Sequence, residues 1–146
     1  MKVIFIRHGD AENISKTGLD FDRELTEQGR KKLLLHVPHL SESLDFSKTK
    51  VFTSPLIRAI QTTEYLHNKF EVVDFLATGS SEELEECVNT YQNFETIVFV
   101  GHEPFISNWI YEFTGQWLKV KKGMAIVLEW PDKILNIKKL SEYQSF

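Results

Sequence analysis

The chain opens with Lys2-Val-Ile-Phe-Ile-Arg-His-Gly9, an apolar run that changes directly into an arginine, a histidine and a glycine. A continuous run of strand-forming residues predicts a strand that is buried on both faces, as in a parallel sheet. A buried strand seldom ends in two adjacent side chains that can carry positive charge. Arg7 and His8 are therefore candidates for a functional site at the carboxyl end of this strand.

A second apolar run ends in the same way, as Val98-Phe-Val-Gly-His102-Glu-Pro104. In open α/β sheets, ligands bind beyond the carboxyl ends of the strands. This rule places Arg7-His8 and Gly101-His102 on the same rim of the predicted sheet.

The rest of the chain alternates between helix and strand patterns, which predicts an α/β three-layer sandwich with a mainly parallel sheet flanked by helices. A C-terminal hairpin is expected to add an antiparallel strand. Helices are predicted after the caps Thr26 and Ser81 and after Pro55 and Pro104, with Pro38 ending or kinking the first one. The other strands are predicted over Val51–Thr53, Glu71–Phe75, Thr96–Val100, Met124–Trp130 and Ile134–Leu140, with Gly9–Glu24 as a loop.

Composition narrows the class of protein. A length of 146 residues suits one domain over residues 1–146, and the net charge of −4 argues against a general nucleic-acid binder. Cys87 is the only cysteine, so no intrachain disulfide is expected. The apolar run Val3–Ile6 is too short for a signal peptide or a membrane span. We expect a cytoplasmic protein without a membrane contact, with a monomer as the favoured state.

Four residues of these motifs suit chemistry on a phosphate group. The segment Ser54-Pro-Leu-Ile-Arg58-Ala-Ile-Gln-Thr62 places an arginine just inside a helix start. A guanidinium is a planar fork of donors that fits phosphate oxygens, and a neutral imidazole nitrogen can attack phosphorus. Arg7, His8, Arg58 and His102 could together surround a phosphate and attack it.

The motifs also occur in a recognisable order: Arg7-His-Gly9, Leu25-Thr-Glu-Gln-Gly29, Ser54-Pro-x-x-Arg58-Ala-x-Gln-Thr62 and Gly101-His-x-Pro104. With this ordered set of motifs, the chain resembles the histidine phosphatase superfamily, the phosphoglycerate-mutase-like proteins. It is most similar to the SixA-type phosphohistidine phosphatases within that superfamily. The resemblance extends from Val3 to about Leu128.

The resemblance implies a metal-independent phosphatase with a covalent phosphohistidine intermediate and no cofactor. It implies that His8 is the nucleophile and that Arg7, Arg58 and His102 bind the substrate phosphate, with all four residues catalytic. The favoured substrate is a phosphohistidine-bearing protein. No metal site is expected, because His36 and His39 have no evident partner ligands.

The general acid is the one part of the pattern that departs from the family. Many relatives carry a glutamate after the third strand, and Phe75 occupies that neighbourhood here. Glu82 and Glu83 lie a little further along the chain, whereas Asp10 and Glu12 are nearer to His8 in sequence. We expect that no carboxylate acts as the acid, with these four as the alternatives.

Two other functions remain open at this stage. One is a phosphatase of small phosphate esters, and the other is a non-catalytic phosphate-binding module. The second is disfavoured because binding alone does not require a nucleophile. A mutase is disfavoured because the chain lacks the length of the mutases' extra segments and an evident acid.

Overall fold

The structure, a computed structural model, describes residues 1–136. Its strands are β1 (Lys2–Arg7), β2 (Thr49–Thr53), β3 (Glu71–Val72), β4 (Thr96–Gly101), β5 (Ala125–Glu129) and β6 (Ile134–Leu135). Its helices are α1 (Glu27–Ser43), α2 (Ile57–Leu66), α3 (Phe75–Thr78), α4 (Ser81–Thr90) and α5 (Phe105–Thr114), with 3-10 turns at Asp20–Asp22 and Phe46–Lys48. The prediction of one domain over residues 1–146 extends beyond the described residues and stays a prediction.

The strands form one mixed sheet in the order β3-β2-β4-β1-β5-β6. The pairs β1–β4, β2–β4 and β2–β3 are parallel, whereas β1–β5 and β5–β6 are antiparallel. The predicted α/β fold with a mainly parallel sheet and an antiparallel C-terminal hairpin is therefore confirmed. The part of the hairpin predicted over 137–140 lies outside the described residues.

Alternate residues of the central strands supply two separate apolar cores, one on each face of the sheet. On one face, Ile4 and Ile6 of β1 pack with Leu33 of α1 and Ala59 of α2. On the other face, side chains of β1 and β4 pack against α3, α4 and α5. Because both faces are covered, the central strands carry continuous apolar runs rather than an alternating pattern.

The third strand is shorter than predicted. The sequence favoured a strand over Glu71–Phe75, but β3 has two residues and Phe75 begins α3. The reason is a difference in burial: Glu71 and Val72 lie exposed at the sheet edge, while Phe75 is buried with its ring centroid 6.0 Å from that of Phe99. Burying this large ring in the core outweighs the extended preference of the segment.

One predicted helix boundary is corrected, and of the two predicted effects of Pro38, an end or a kink of the helix, the end is excluded. Helix α1 does not end at Pro38 but continues to Ser43, because Val37 and Leu40 on either side of the proline are buried in the core. Their burial offsets the hydrogen bond that proline cannot donate. Helix α4 is capped by Ser80 rather than Ser81, since the Ser80 hydroxyl accepts from the Glu83 N–H at 3.2 Å.

Helix α1 begins where the sequence predicted. The Thr26 hydroxyl accepts a hydrogen bond from the Gly29 N–H at 2.9 Å, which confirms the predicted cap. None of the helices in residues 1–136 is long and apolar enough to cross a membrane.

Candidate active site

The carboxyl ends of three neighbouring strands meet at one rim of the sheet. Arg7 ends β1, and the N–H of His8 donates to the Gly101 carbonyl at the end of β4. The N–H of Ser54, which follows β2, donates to the Val100 carbonyl. These backbone bonds bring the three motifs together because the strands are adjacent and parallel.

The His8 ring is held in one orientation by the backbone. Its Nδ1 lies 2.7 Å from the Gly9 carbonyl oxygen, which can only accept, so Nδ1 carries the hydrogen. The other nitrogen, Nε2, therefore presents its lone pair, and the Arg58 Nε–H donates to it at 3.3 Å. A single tautomer satisfies both contacts, with Nε2 as the nitrogen that carries the lone pair.

Burial and positive charge keep this ring neutral. Burial of the side chain is the largest cause that lowers the pKa of His8, and nearby His102, Arg58 and Arg7 lower it further, against the raising effect of the Gly9 bond. The resulting pKa is about 3, below the ordinary value of 6.5. His8 thus has the unprotonated form that a nucleophile needs at neutral pH.

Arg58 lies in the first turn of α2 and is 6% exposed. The Thr62 hydroxyl connects this helix to the segment that carries His8, since it accepts from the Gly9 N–H and donates to the Arg58 carbonyl oxygen. The guanidinium also donates to Asp20, through Nη1 to the backbone oxygen at 2.9 Å and through Nη2 to Oδ2 at 3.3 Å. The arginine is therefore aimed at His8 by α2 on one side and by Asp20 on the other.

The His102 ring faces His8, with 5.1 Å between the ring centroids. Its Nε2 lies 2.6 Å from the Ser54 hydroxyl, and its Nδ1 is buried with no hydrogen-bond partner among the described residues. Burial, followed by the positive charge of Arg58, lowers the pKa of His102 to about 4, so this ring is also neutral. When Ser54 donates to Nε2, the hydrogen of the neutral ring lies on Nδ1, which can then donate to a ligand.

Arg7 has a similar unpaired donor. Its Nη1 donates to the Val120 carbonyl at 2.9 Å, while its Nε is buried with no hydrogen-bond partner within residues 1–136. Buried polar groups are nearly always paired in folded proteins. The unpaired nitrogens of Arg7 and His102 can both gain a partner from an anion bound beside His8.

The structure brings together all four residues that the sequence selected for the phosphate site. Arg58 touches His8 directly, His102 packs beside it, and Arg7 is its neighbour in the chain. Three cationic or hydrogen-donating side chains around an unprotonated imidazole can bind a phosphoryl group and stabilise the charge that develops on its transfer.

The two candidate acids nearest to His8 in sequence are committed to local structure. Asp10 accepts from the Thr26 hydroxyl at 2.8 Å and pairs with the Lys122 ammonium at 2.7 Å. The Lys122 bond is the largest cause that lowers the pKa of Asp10, which is the opposite of what a general acid needs. The Glu12 carboxylate accepts the Glu24 N–H at 3.0 Å.

The other two candidate acids, Glu82 and Glu83, lie exposed in the first turn of α4. Negative side chains at this position stabilise a helix through its dipole. Among the described residues, no hydrogen bond joins any of the four candidate acids to the four residues of the phosphate site, which are Arg7, His8, Arg58 and His102. The identity of an acid therefore stays a prediction.

Sequence reasoning missed two residues that contact the site. Ser54 was quoted only as part of a motif, although its place directly after β2 could have assigned it to the same rim as His102. Asp20 lies in the loop between β1 and α1, where no periodic pattern predicts its contact with Arg58. Its neighbour Arg23 pairs with it at 3.0 Å.

No group of three or more His, Cys, Asp or Glu side chains in residues 1–136 is arranged to hold a metal ion. The sequence-based expectation of a metal-independent site stays a prediction.

Comparison with known structures agrees with this architecture. The SixA protein histidine phosphatase complexed with tungstate matches with a TM-score of 0.77 at 21% identity, over 93% of this chain and 94% of that one. A candidate SixA phosphohistidine phosphatase from Agrobacterium tumefaciens gives 0.75 at 20% identity, over 88% and 91%. A phosphoserine phosphatase variant from Entamoeba histolytica in complex with phosphoserine gives 0.70 at 15%, over 92% and 93%. At these identities the matches show the fold.

The family is shown by the sequence comparisons. An uncharacterized protein of a Picosynechococcus species is 31% identical over 142 residues, which cover 88% of this chain and 84% of the relative. The profile of the Histidine phosphatase superfamily (branch 1) matches residues 3–91. That range contains β1 with Arg7 and His8, and α2 with Arg58. This chain therefore belongs to the histidine phosphatase superfamily.

Proposed function

We propose that this protein is a phosphatase that works through a covalent phosphohistidine on His8, with a phosphohistidine-bearing protein as the favoured substrate. The observation that carries the proposal is the fixed tautomer of His8. Its Nδ1 is bonded to the Gly9 carbonyl oxygen at 2.7 Å, so the lone pair of the buried, neutral ring lies on Nε2 beside Arg58.

The reaction proceeds in two steps. In the first, Nε2 of His8 forms a bond to phosphorus while the bond from phosphorus to the leaving oxygen or nitrogen breaks, and the leaving group takes a proton from solvent water. In the second, water attacks the phosphohistidine, the phosphorus–nitrogen bond breaks, and inorganic phosphate leaves. Arg7, Arg58 and His102 donate hydrogen bonds to the phosphoryl oxygens in both steps.

A feature of the neighbouring surface supports a protein substrate. The loop that contains Asp20 carries three exposed apolar side chains, Ile14, Leu19 and Phe21, which are 77%, 62% and 46% exposed. Asp20 contacts Arg58, so this loop lies directly beside the proposed phosphate site. Exposed apolar side chains beside a polar site are a feature of surfaces that contact another protein.

The activity can be tested on an aryl phosphate with EDTA present. The parent protein should turn over the substrate, and His8→Ala should lose turnover while keeping its melting temperature within a few degrees. The matched control is His39→Ala, which removes an exposed histidine of α1 and should leave the rate unchanged. Turnover by folded His8→Ala at the parent rate would contradict the proposed nucleophile.

The substrate can be tested by comparing a phosphohistidine-bearing protein with a panel of phosphorylated metabolites. We expect the highest kcat/KM on the phosphoprotein. A metabolite that reacts faster would instead favour the alternative of a small-ester phosphatase. Binding of phosphate without turnover of any substrate would favour a non-catalytic phosphate-binding module.

A further inference from the structure

The guanidinium of Arg58 uses all three of its nitrogens within the protein. The Nε–H donates to His8 Nε2 at 3.3 Å, Nη1 donates to the Asp20 backbone oxygen at 2.9 Å, and Nη2 donates to Asp20 Oδ2 at 3.3 Å. The donors that the proposed mechanism assigns to phosphoryl oxygens are thus already bonded to an internal group.

The Asp20 carboxylate bridges two arginines. Its Oδ2 lies 3.3 Å from Arg58 Nη2, and its Oδ1 lies 3.0 Å from Arg23 Nε. Partial burial raises the pKa of Asp20, but the charges and hydrogen bonds of Arg58 and Arg23 outweigh this and hold that pKa below its ordinary value. Asp20 is therefore an anion at neutral pH, and it is bound as a phosphate oxygen would be bound.

The two partners of this contact differ greatly in their freedom to move. The side chain of Arg58 is 8% exposed and is fixed through α2, whereas that of Asp20 is 68% exposed and belongs to a single 3-10 turn. Because the carboxylate of this ion pair is largely in water, the interaction is screened and contributes only modest free energy. A phosphoryl group, with its greater charge and larger number of oxygens, can therefore take the place of the carboxylate without disturbing the core.

We propose that the Asp20 carboxylate competes with the phosphoryl group for Arg58, so that Asp20 sets the anion affinity of the site. This inference rests on the proposed function only in taking Arg58 as a phosphate-binding residue. Asp20 is then a specificity residue that disfavours weakly charged anions, because only a ligand with more charge and more oxygens than a carboxylate displaces it efficiently.

The test measures the affinity for orthophosphate by isothermal titration calorimetry, which needs no turnover. Asp20→Asn keeps the backbone contact to Arg58 and removes only the negative charge. We expect Asp20→Asn, and the second variant Asp20→Ser, to bind orthophosphate about two- to fivefold more tightly than the parent, as suits the loss of an exposed ion pair. The KM for an aryl phosphate should fall by a similar factor with kcat unchanged.

The matched control is Asp22→Asn, which removes the same charge from the same 3-10 turn. The Asp22 carboxylate accepts from the Thr17 hydroxyl at 2.6 Å rather than from an arginine of the site. We expect its affinity for orthophosphate to change much less than that of Asp20→Asn. An equal gain in both variants would overturn direct competition in favour of a general charge effect.

Unchanged or absent phosphate binding in both Asp20 variants would also overturn the proposal. Weaker binding together with a lower kcat would overturn it as well, since it would make Asp20 a residue that orients Arg58. Failure of the proposed function gives a different result: Asp20→Asn gains affinity for orthophosphate, but neither it nor the parent turns over a phosphorylated substrate.

Discussion

At the residue scale, the site depends on two histidines that the fold keeps neutral. Burial is the main cause in both cases, and it lowers the pKa of His8 to about 3 and that of His102 to about 4. Neither ring can hold a proton near neutral pH without placing a charge in a buried position beside arginines. The proposed nucleophile, His8, is therefore unprotonated at neutral pH without a separate base.

These shifts predict how stability depends on pH. The folded pKa of His8 lies below the unfolded value of 6.5, so the unfolded state binds an extra proton as the pH falls. The stabilisation is complete above the unfolded pKa and is lost progressively down to the folded pKa. As the pH is lowered through about 5, the unfolding free energy of the parent should fall by about 1.4 kcal/mol more per pH unit than that of His8→Gln.

Urea unfolding at a series of pH values between about 7 and 4.5 measures this difference. His39→Gln is the control, since His39 is exposed and lies outside the site. Its stability should follow that of the parent across the series. Parallel curves for His8→Gln and the parent would contradict a buried neutral His8.

The geometry of Arg58 predicts that a positive charge alone cannot replace this residue in the proposed reaction. Three of its nitrogens donate in different directions in the structure, and the ammonium of lysine cannot reproduce this planar fork. Arg58→Lys should lower kcat/KM by about 10²–10³-fold, the cost of losing one oriented donor to a transition state.

Steady-state kinetics on an aryl phosphate measures this loss. Arg30→Lys is the matched control, because Arg30 is a partly exposed residue of α1 that pairs with Glu24 outside the site. It should leave the rate unchanged. Equal rates for lysine and arginine at position 58 would mean that only the net charge matters there.

At the element scale, the start of α1 supports the β1–α1 loop where it follows His8. The loop crosses the first turn of the helix so closely that a Cβ atom on Gly29 would lie 2.4 Å from the Asp10 backbone oxygen. That oxygen also accepts the Thr26 N–H at 2.9 Å. The glycine in the motif Leu25-Thr-Glu-Gln-Gly29 is therefore required by a close approach of two backbones rather than by the helix itself.

This contact predicts the effect of Gly29→Ala. In an unhindered helix, alanine is more favourable than glycine by about 1 kcal/mol. Here the added methyl group must push away the Asp10 backbone, so we expect a net loss of about 1–3 kcal/mol in unfolding free energy, as for an overpacked core. Urea unfolding compares it with Gln28→Ala, an exposed change in the same turn that should be close to neutral. A stabilised Gly29→Ala would contradict the close approach.

At the scale of the whole molecule, the sheet order brings distant segments to one rim, and within residues 1–136 none of the four candidate acids is hydrogen-bonded to Arg7, His8, Arg58 or His102. The carboxylates of Asp10 and Glu12 accept hydrogen bonds from Thr26 and Glu24, respectively. Glu82 and Glu83 lie exposed on α4. If the phosphatase has no positioned acid, its reaction rate should depend strongly on how readily the leaving group departs. Phosphohistidine and aryl phosphates are good substrates in that respect, and alkyl phosphates are poor ones.

We therefore expect alkyl phosphates to react about 10²–10⁴-fold more slowly than aryl phosphates, the usual contribution of proton donation. Single changes of the four carboxylates to amides, which are Asp10→Asn, Glu12→Gln, Glu82→Gln and Glu83→Gln, should alter aryl phosphate turnover little. A large loss in one of them, greatest with alkyl substrates, would identify it as the acid. A flat series in the parent, with phosphoenzyme formation rate-limiting, would also contradict the prediction.

The sequence by itself determined the central strands β1, β2 and β4, the cap of α1 and the placement of Arg7, His8 and His102 at strand ends. Apolar runs and capping residues are local signals, and they act over a few neighbouring residues. The same signals were wrong for the segment Glu71–Phe75 and left open whether Pro38 ends or kinks α1, because the burial of nearby apolar side chains overruled local preference.

Only the tertiary structure decided what surrounds the side chains that are proposed to bind phosphate. Asp20 reaches Arg58 across 38 positions of sequence, and Ser54 reaches His102 across 48. No periodicity encodes such contacts, since they arise when parallel strands and the β1–α1 loop meet at one edge of the sheet. The low pKa of His8 is likewise decided by the tertiary structure, because it comes mainly from burial and in part from His102 and Arg58, which lie far away in sequence.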